Sequence, residues 1–147
     1  MGLVTFSQNT PMYQATPNDP TGTTSTVGVM MGLGAVLTPQ FSGRVFVCVN
    51  GNLTNSTAAA GNGAKVQIRF GTGTAPANGA ALTGTAMGSI QTSVLERATA
   101  NDLQTFCVLA IVTGLSLGTQ IWLDISLAAV TAGTGLAKNI NISAMEI

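Results

Sequence analysis

Imidazole chemistry is closed to this chain, because its 147 residues include no histidine. A Ser–His–Asp or Cys–His device for acyl transfer needs that ring to carry the proton. What remains are five carboxylates, Asp19, Glu96, Asp102, Asp124 and Glu146, and two thiols, Cys48 and Cys107. Paired carboxylates from that set could cleave glycosides. Asp124 has the most suggestive setting, two residues from Trp122 on one face of a strand candidate. A carboxylate and an indole side by side could bind a sugar, but a packed contact is the simpler expectation. Calcium needs a cluster of oxygen ligands, and Asn18-Asp19 is too thin for one. Two isolated cysteines without histidine cannot complete a tetrahedral zinc site. Both sit inside apolar runs, so they are expected to be small buried hydrophobes in a reducing compartment, a disulfide between them being the alternative. Gly71-Thr72-Gly73 invites a phosphate-loop reading and fails it. No GxxxxGK[ST] is present and no helix-forming run follows. Neither catalytic residues, nor a cofactor, nor a metal site is therefore expected.

The elements that would position these groups are strands. In Gln120–Ala129, Ile121, Leu123, Ile125 and Leu127 alternate with Gln120, Trp122, Asp124 and Ser126, which marks a strand with one buried face and one more polar face. The preceding run, Leu103–Thr113, is apolar at almost every position and predicts a strand covered on both faces. The two form a pair joined by a short glycine-containing connection. Val27–Leu37 predicts a strand whose Gly28, Gly32 and Gly34 call for a bulge or for close approach by another backbone. Gly43–Val49 predicts another, ended by an Asn50-Gly51 turn. Lys65–Phe70 is a half-buried strand with Val66, Ile68 and Phe70 inward and Lys65, Gln67 and Arg69 outward. Gly71–Thr85 reads as a surface loop, Met87–Leu95 as a weaker strand and Val130–Lys138 as a further loop. Asn139–Ile147 reads as a terminal strand locked inside a sheet. Strand follows strand with Gly/Thr/Asn-rich turns and no convincing helix. That pattern predicts an all-β antiparallel sandwich of about eight strands, best suited to a jelly roll.

Residues 1–26 read differently from the sandwich of residues 27–147. Pro11, Pro17 and Pro20 interrupt hydrogen-bond ladders, and Asn18, Asp19, Thr21 and Gly22 supply turns. Yet Leu3, Val4, Phe6, Met12 and Tyr13 are not the residues of a solvated tail. They predict an extended N-terminal arm that lies against its own domain or a neighbouring subunit, with these residues as its partner-binding side chains. No signal-peptide pattern is evident at the start, so the sequons at Asn52 and Asn55 are expected to be coincidental. The apolar run Phe106–Val112 falls far short of the ~18 residues of a spanning helix, and no membrane contact is expected. The basic residues are scattered, which argues against nucleic acid. Charged residues make up 7% of the chain and net charge is zero, whereas soluble domains average ~25% charged. So uncharged a surface points to a permanent assembly.

Several segments carry a resemblance. PNDPTGTTSTVGVMMGLG, SGRVFVCVNGNLTNS, GNGAKVQIRFGTGTAPANGAALTGT and VTGLSLGTQIWLDISLAAVTAGT together resemble a domain of tailed-bacteriophage virion structural proteins. LxxGTxxWLDxSL before a Gly/Thr loop and a last strand is also similar to the closing strands of TNF/C1q-like jelly rolls. The phage resemblance spans about Pro17 to Ile147. It implies a virion component, assembled in the host bacterial cytoplasm and often homotrimeric, with the major capsid protein or other virion proteins as partners. Two roles compete: a capsid decoration (cement) protein that holds the head shell, or a tail or fibre head domain that binds a host receptor. A chain that opens on an arm, with no repeat-rich shaft, favours decoration. A carbohydrate-binding or lyase-like virion module would need clustered aromatics, and Tyr13 and Trp122 are the single Tyr and Trp.

Overall fold

A computed structural model describes residues 9–94 and 99–147. Within them nine strands form two antiparallel sheets: β1 (Met12–Ala15), β2 (Val29–Met30), β3 (Ala35–Leu37), β4 (Val45–Asn55), β5 (Gly63–Thr72), β6 (Thr85–Val94), β7 (Gln104–Val112), β8 (Ile121–Ala129) and β9 (Gly135–Glu146). One sheet runs β1-β9-β4-β7. The other runs β2-β8-β5-β6, with β3 also paired to β8. Counting β2 and β3 as halves of one broken strand, every connection except β5 to β6 crosses between the sheets. That path is the jelly roll, an all-β sandwich.

Inward residues at alternate positions fill the space between the sheets. They include Val45, Val47 and Val49 of β4, Val66 and Ile68 of β5, Leu123 and Ile125 of β8, and Ile140 and Ile142 of β9. Each such side chain contributes roughly 1.5–3 kcal/mol by leaving water. The last strand is held between β1 and β4, as its alternation foretold.

Several expectations change. β7 and β8 do not pair; they lie in opposite sheets, and Thr113–Gln120 carries the chain across. β7 is also not covered on both faces. Phe106, Val108, Ala110 and Val112 are buried, while Cys107, Leu109 and Ile111 are exposed. An apolar run cannot distinguish burial by its own sandwich from burial by a partner. Asn50-Gly51 is no turn, because β4 continues through it to Asn55. The β4–β9 register shifts between Asn50 and Asn52, and the Lys138 carbonyl and Phe106 ring come so close to Gly51 that a Cβ would meet both. Glycine here admits a bulge, with Asn139 opposite it at φ 52°.

The segment expected as one strand over 27–37 breaks into β2 and β3. Gly32 sits at φ 65°, and a Cβ there would strike the backbone of Asn78. That is the close approach expected of its glycines. Met12–Ala15, expected inside the arm, is β1, an edge strand registered on β9 from Met12↔Met145 to Ala15↔Ile142. Edge position is what lets Pro11 and Pro17 flank it. Leu3, Val4 and Phe6 lie outside the described residues, as do Glu96 and Arg97.

Candidate functional site

The groups singled out for chemistry have structural partners. Asp124 is 2% exposed. Its carboxylate accepts the backbone N–H groups of Gly32 at 2.8 Å, Leu33 at 3.1 Å and Ile125 at 2.8 Å, which pins the break between β2 and β3. Burial pushes its carboxyl up, opposed by those backbone donors. Trp122 is 4% exposed, with Gly71 and Gly84 against its ring and its indole N–H donating to the Thr72 carbonyl at 3.2 Å. The loop after β5 covers the indole through Gly84, while the break between β2 and β3 covers the Asp124 carboxylate. Arg69 fastens that loop by donating to the Thr83 and Gly84 carbonyls at 2.8 and 3.1 Å. Asn78 ties it to the Met31 carbonyl at 3.1 Å. The face of β8 that reads as polar is thus an internal contact, and its indole cannot stack on a sugar.

Glu146, which sequence reasoning passed over, is the other buried acid, 3% exposed. It accepts N–H groups from Gln40 (2.7 Å), Phe41 (2.9 Å), Ser42 (2.6 Å) and Gly43 (3.0 Å), and the Ser42 hydroxyl at 3.2 Å. Burial alone would raise its carboxyl, but these backbone donors outweigh it and hold the group down at about 2. A signal existed: Glu146 falls in phase with inward Ile140, Ile142 and Ala144. Asn55 is fully buried, and its amide donates to the Gly63 and Ala132 carbonyls at 3.0 and 2.8 Å. A glycan there would destroy those bonds. Among the described residues no three His, Cys, Asp or Glu side chains converge as a metal site.

The two cysteines are not buried in the core. They lie on the outer face of the β1-β9-β4-β7 sheet, Cys107 exposed and Cys48 half-buried, with Sγ atoms 3.9 Å apart and no disulfide. Outward positions of adjacent strands bring them together, a parity that apolar neighbours on both sides conceal. Desolvation, then the Cys48 thiol beside it, push the Cys107 thiol up.

That outer face has an ordered composition. Registration across the strands lines up Met12, Met145, Phe46 and Ile111 in one row. Gln14, Ser143, Cys48 and Leu109 form the next, and Asn141, Asn50 and Cys107 the third. None of these is Asp, Glu, Lys or Arg. Met12 is 70% exposed, Leu109 52%, Ile111 43% and Met145 42%. Beside the first row lies a hollow of about 200 Å³ lined by Met12, Tyr13, Phe46 and Met145. At the far end asparagine amides bond to one another, Asn141 to Asn50 at 3.3 Å and Asn139 to Asn52 at 3.1 Å. There a polar hollow of about 490 Å³ opens between Asn18, Asp19, Asn139 and Asn141. Of the residues expected to bind a partner, Met12 and Tyr13 belong to this surface. Met12 faces outward, and Tyr13 is half-buried against the core.

No family model matches the chain, and no curated protein matches its sequence. Solved structures do. A chain of the infectious bursal disease virus Gx strain is 14% identical, with a TM-score of 0.47, over 92% of this chain and 32% of the other. This chain thus spans about a third of that viral one. The PRD1 vertex protein is 18% identical at a TM-score of 0.41, over 94% of each chain. The Eiger TNF of S. frugiperda is 8% identical at 0.39, over 93% of this chain and 85% of the other.

Proposed function

We propose that this chain is a non-enzymatic structural protein of a virion, a decoration (cement) protein that stabilises a bacteriophage head shell. The observation that carries the proposal is the uncharged set of three rows on the outer face of the β1-β9-β4-β7 sheet, where Met12, Met145, Phe46, Ile111 and Leu109 stand in two adjoining rows. Monomers rarely present a contiguous apolar patch of this kind, and such patches mark places where another surface sits. The phage-like segments support that class of assembly. Carboxylates and an indole that might have suggested catalysis instead hold loops in place.

In this reading the chain acts as a homotrimer. Its N-terminal residues, Leu3, Val4 and Phe6 together with Met12 and Tyr13, reach a neighbouring subunit or the major capsid protein. Each copy adds a small stabilisation, and repetition over a shell makes it large. A tail or fibre head domain would use the same fold at another place. Copy number separates the two. Quantitative mass spectrometry of particles carrying the chain should find it on the order of the capsid protein itself; a handful of copies per particle would refute decoration.

A further inference from the structure

We infer that the outer face of the β1-β9-β4-β7 sheet is covered by a second copy of this chain. The inference rests on the reading above and names its subunit contact. Three observations point to a self-contact. First, the three central rows carry no Asp, Glu, Lys or Arg, so the face meets a copy of itself, or its neighbour's equally uncharged surface, with no like-charge pair to bury. Second, the face shades from methionine, phenylalanine and isoleucine at one end to asparagines at the other, and the asparagine amides already bond within the sheet. Such a surface has an apolar part beside a polar border, as in subunit contacts.

Third, the size fits. Strands of four (β1), twelve (β9), eleven (β4) and nine (β7) residues, about 4.8 Å apart and rising about 3.4 Å per residue, give a face of roughly 600 Å² in projection. Side-chain relief enlarges that towards the ~800 Å² per partner that stable complexes bury. Phe46 stands on the central strand β4, where a buried anchor has most effect, with Leu109 and Ile111 beside it on the edge strand β7.

Three single substitutions test this in the full chain, followed by sedimentation velocity across a concentration series. Leu109→Lys and Ile111→Lys place a charge at exposed positions of the face, so the fold survives, as circular dichroism will confirm. Association should weaken by about 100-fold or more, since an ammonium buried without a partner is strongly unfavourable. Ile90→Lys, at a position 57% exposed on the opposite sheet, should leave the mass of the wild-type oligomer unchanged. In a Cys48→Ser background, maleimide should label Cys107 about tenfold more slowly in the oligomer than in the dissociated Leu109→Lys chain, because a packed contact excludes the reagent. Wild-type mass in both lysine variants would overturn the inference, as would equal labelling. Slow labelling of a monomer would overturn it too, by showing that the chain's own N-terminal segment covers the face. An oligomer that ignores the substitutions yet decorates shells would discard the face and keep the function. An oligomer broken by them, from a chain found on no particle, would keep the face and discard the function.

Discussion

Replacing Glu146 by glutamine should cost this fold more than its position beside the last residue suggests. The carboxylate gathers four consecutive backbone N–H groups, from Gln40 to Gly43, and is held at about 2 against an ordinary 4.5. After allowance for solvent screening, that difference corresponds to roughly 2 kcal/mol of folding stability at neutral pH. The sign follows from the direction. The folded carboxyl loses its proton more readily than the unfolded one, so its contribution is complete above about pH 5 and fades as pH falls towards 2. Glutamine keeps the shape, loses the charge and points amide hydrogens at backbone donors. Thermal unfolding at pH 7 should therefore show Glu146→Gln melting roughly 4–8 °C below the wild type, taking 2–4 °C per kcal/mol for a chain of this size. At about pH 2.5 the two curves should nearly coincide, because the wild-type group is then becoming protonated. A gap of the same size at both pH values, or none at pH 7, would refute the electrostatic account and leave Glu146 as mere packing.

Other perturbations follow from the same structure. Asp124→Asn keeps acceptors for Leu33 and Ile125 but sets an amide against Gly32. It also removes a charge that burial opposes, so it should cost about 1–2 kcal/mol, less than Glu146→Gln, in denaturant unfolding. Among the described residues the buried Thr54 hydroxyl has no hydrogen-bond partner, and Thr54→Val should raise stability by about 1 kcal/mol, read as a higher urea midpoint. Trp122→Ala removes the indole beneath the loop after β5. It should cost roughly 3–5 kcal/mol and open that loop to limited proteolysis between Gly73 and Gly84. Deleting residues 2–8 spares β1, so the melting temperature should hold while shell binding, followed by co-sedimentation with particles, is lost.

Strand positions and the sandwich class were legible because period-two alternation is a local signal. Lys65–Phe70 and Ile121–Leu127 each read correctly on their inward faces. Which strands share a sheet is not local, and β7 and β8, adjacent in the chain, part company across the core. Sequence also cannot say what covers an outward residue. Trp122 and Asp124 look solvent-facing until the loop after β5 folds over the first and the β2–β3 break over the second, whereas Leu109 and Cys107 look buried and are not. Glycine carries the same ambiguity. Gly51 beside Asn50 reads as a turn, and only the facing Lys138 carbonyl shows that it admits a bulge. Of the expected contact residues, Met12 lies on the outer face as an apolar side chain with no core to enter. Its neighbours on that surface, Phe46, Ile111 and Met145, come from three other strands and are gathered only by the register.

The most direct test is an image of the particle that carries this chain, at a resolution that traces strands. Copies should stand on the head shell, with the face formed by Met12, Met145, Phe46, Ile111 and Leu109 closed against a neighbouring copy. A chain found singly at the tail, with that face open to water, would contradict both the proposed role and the proposed contact.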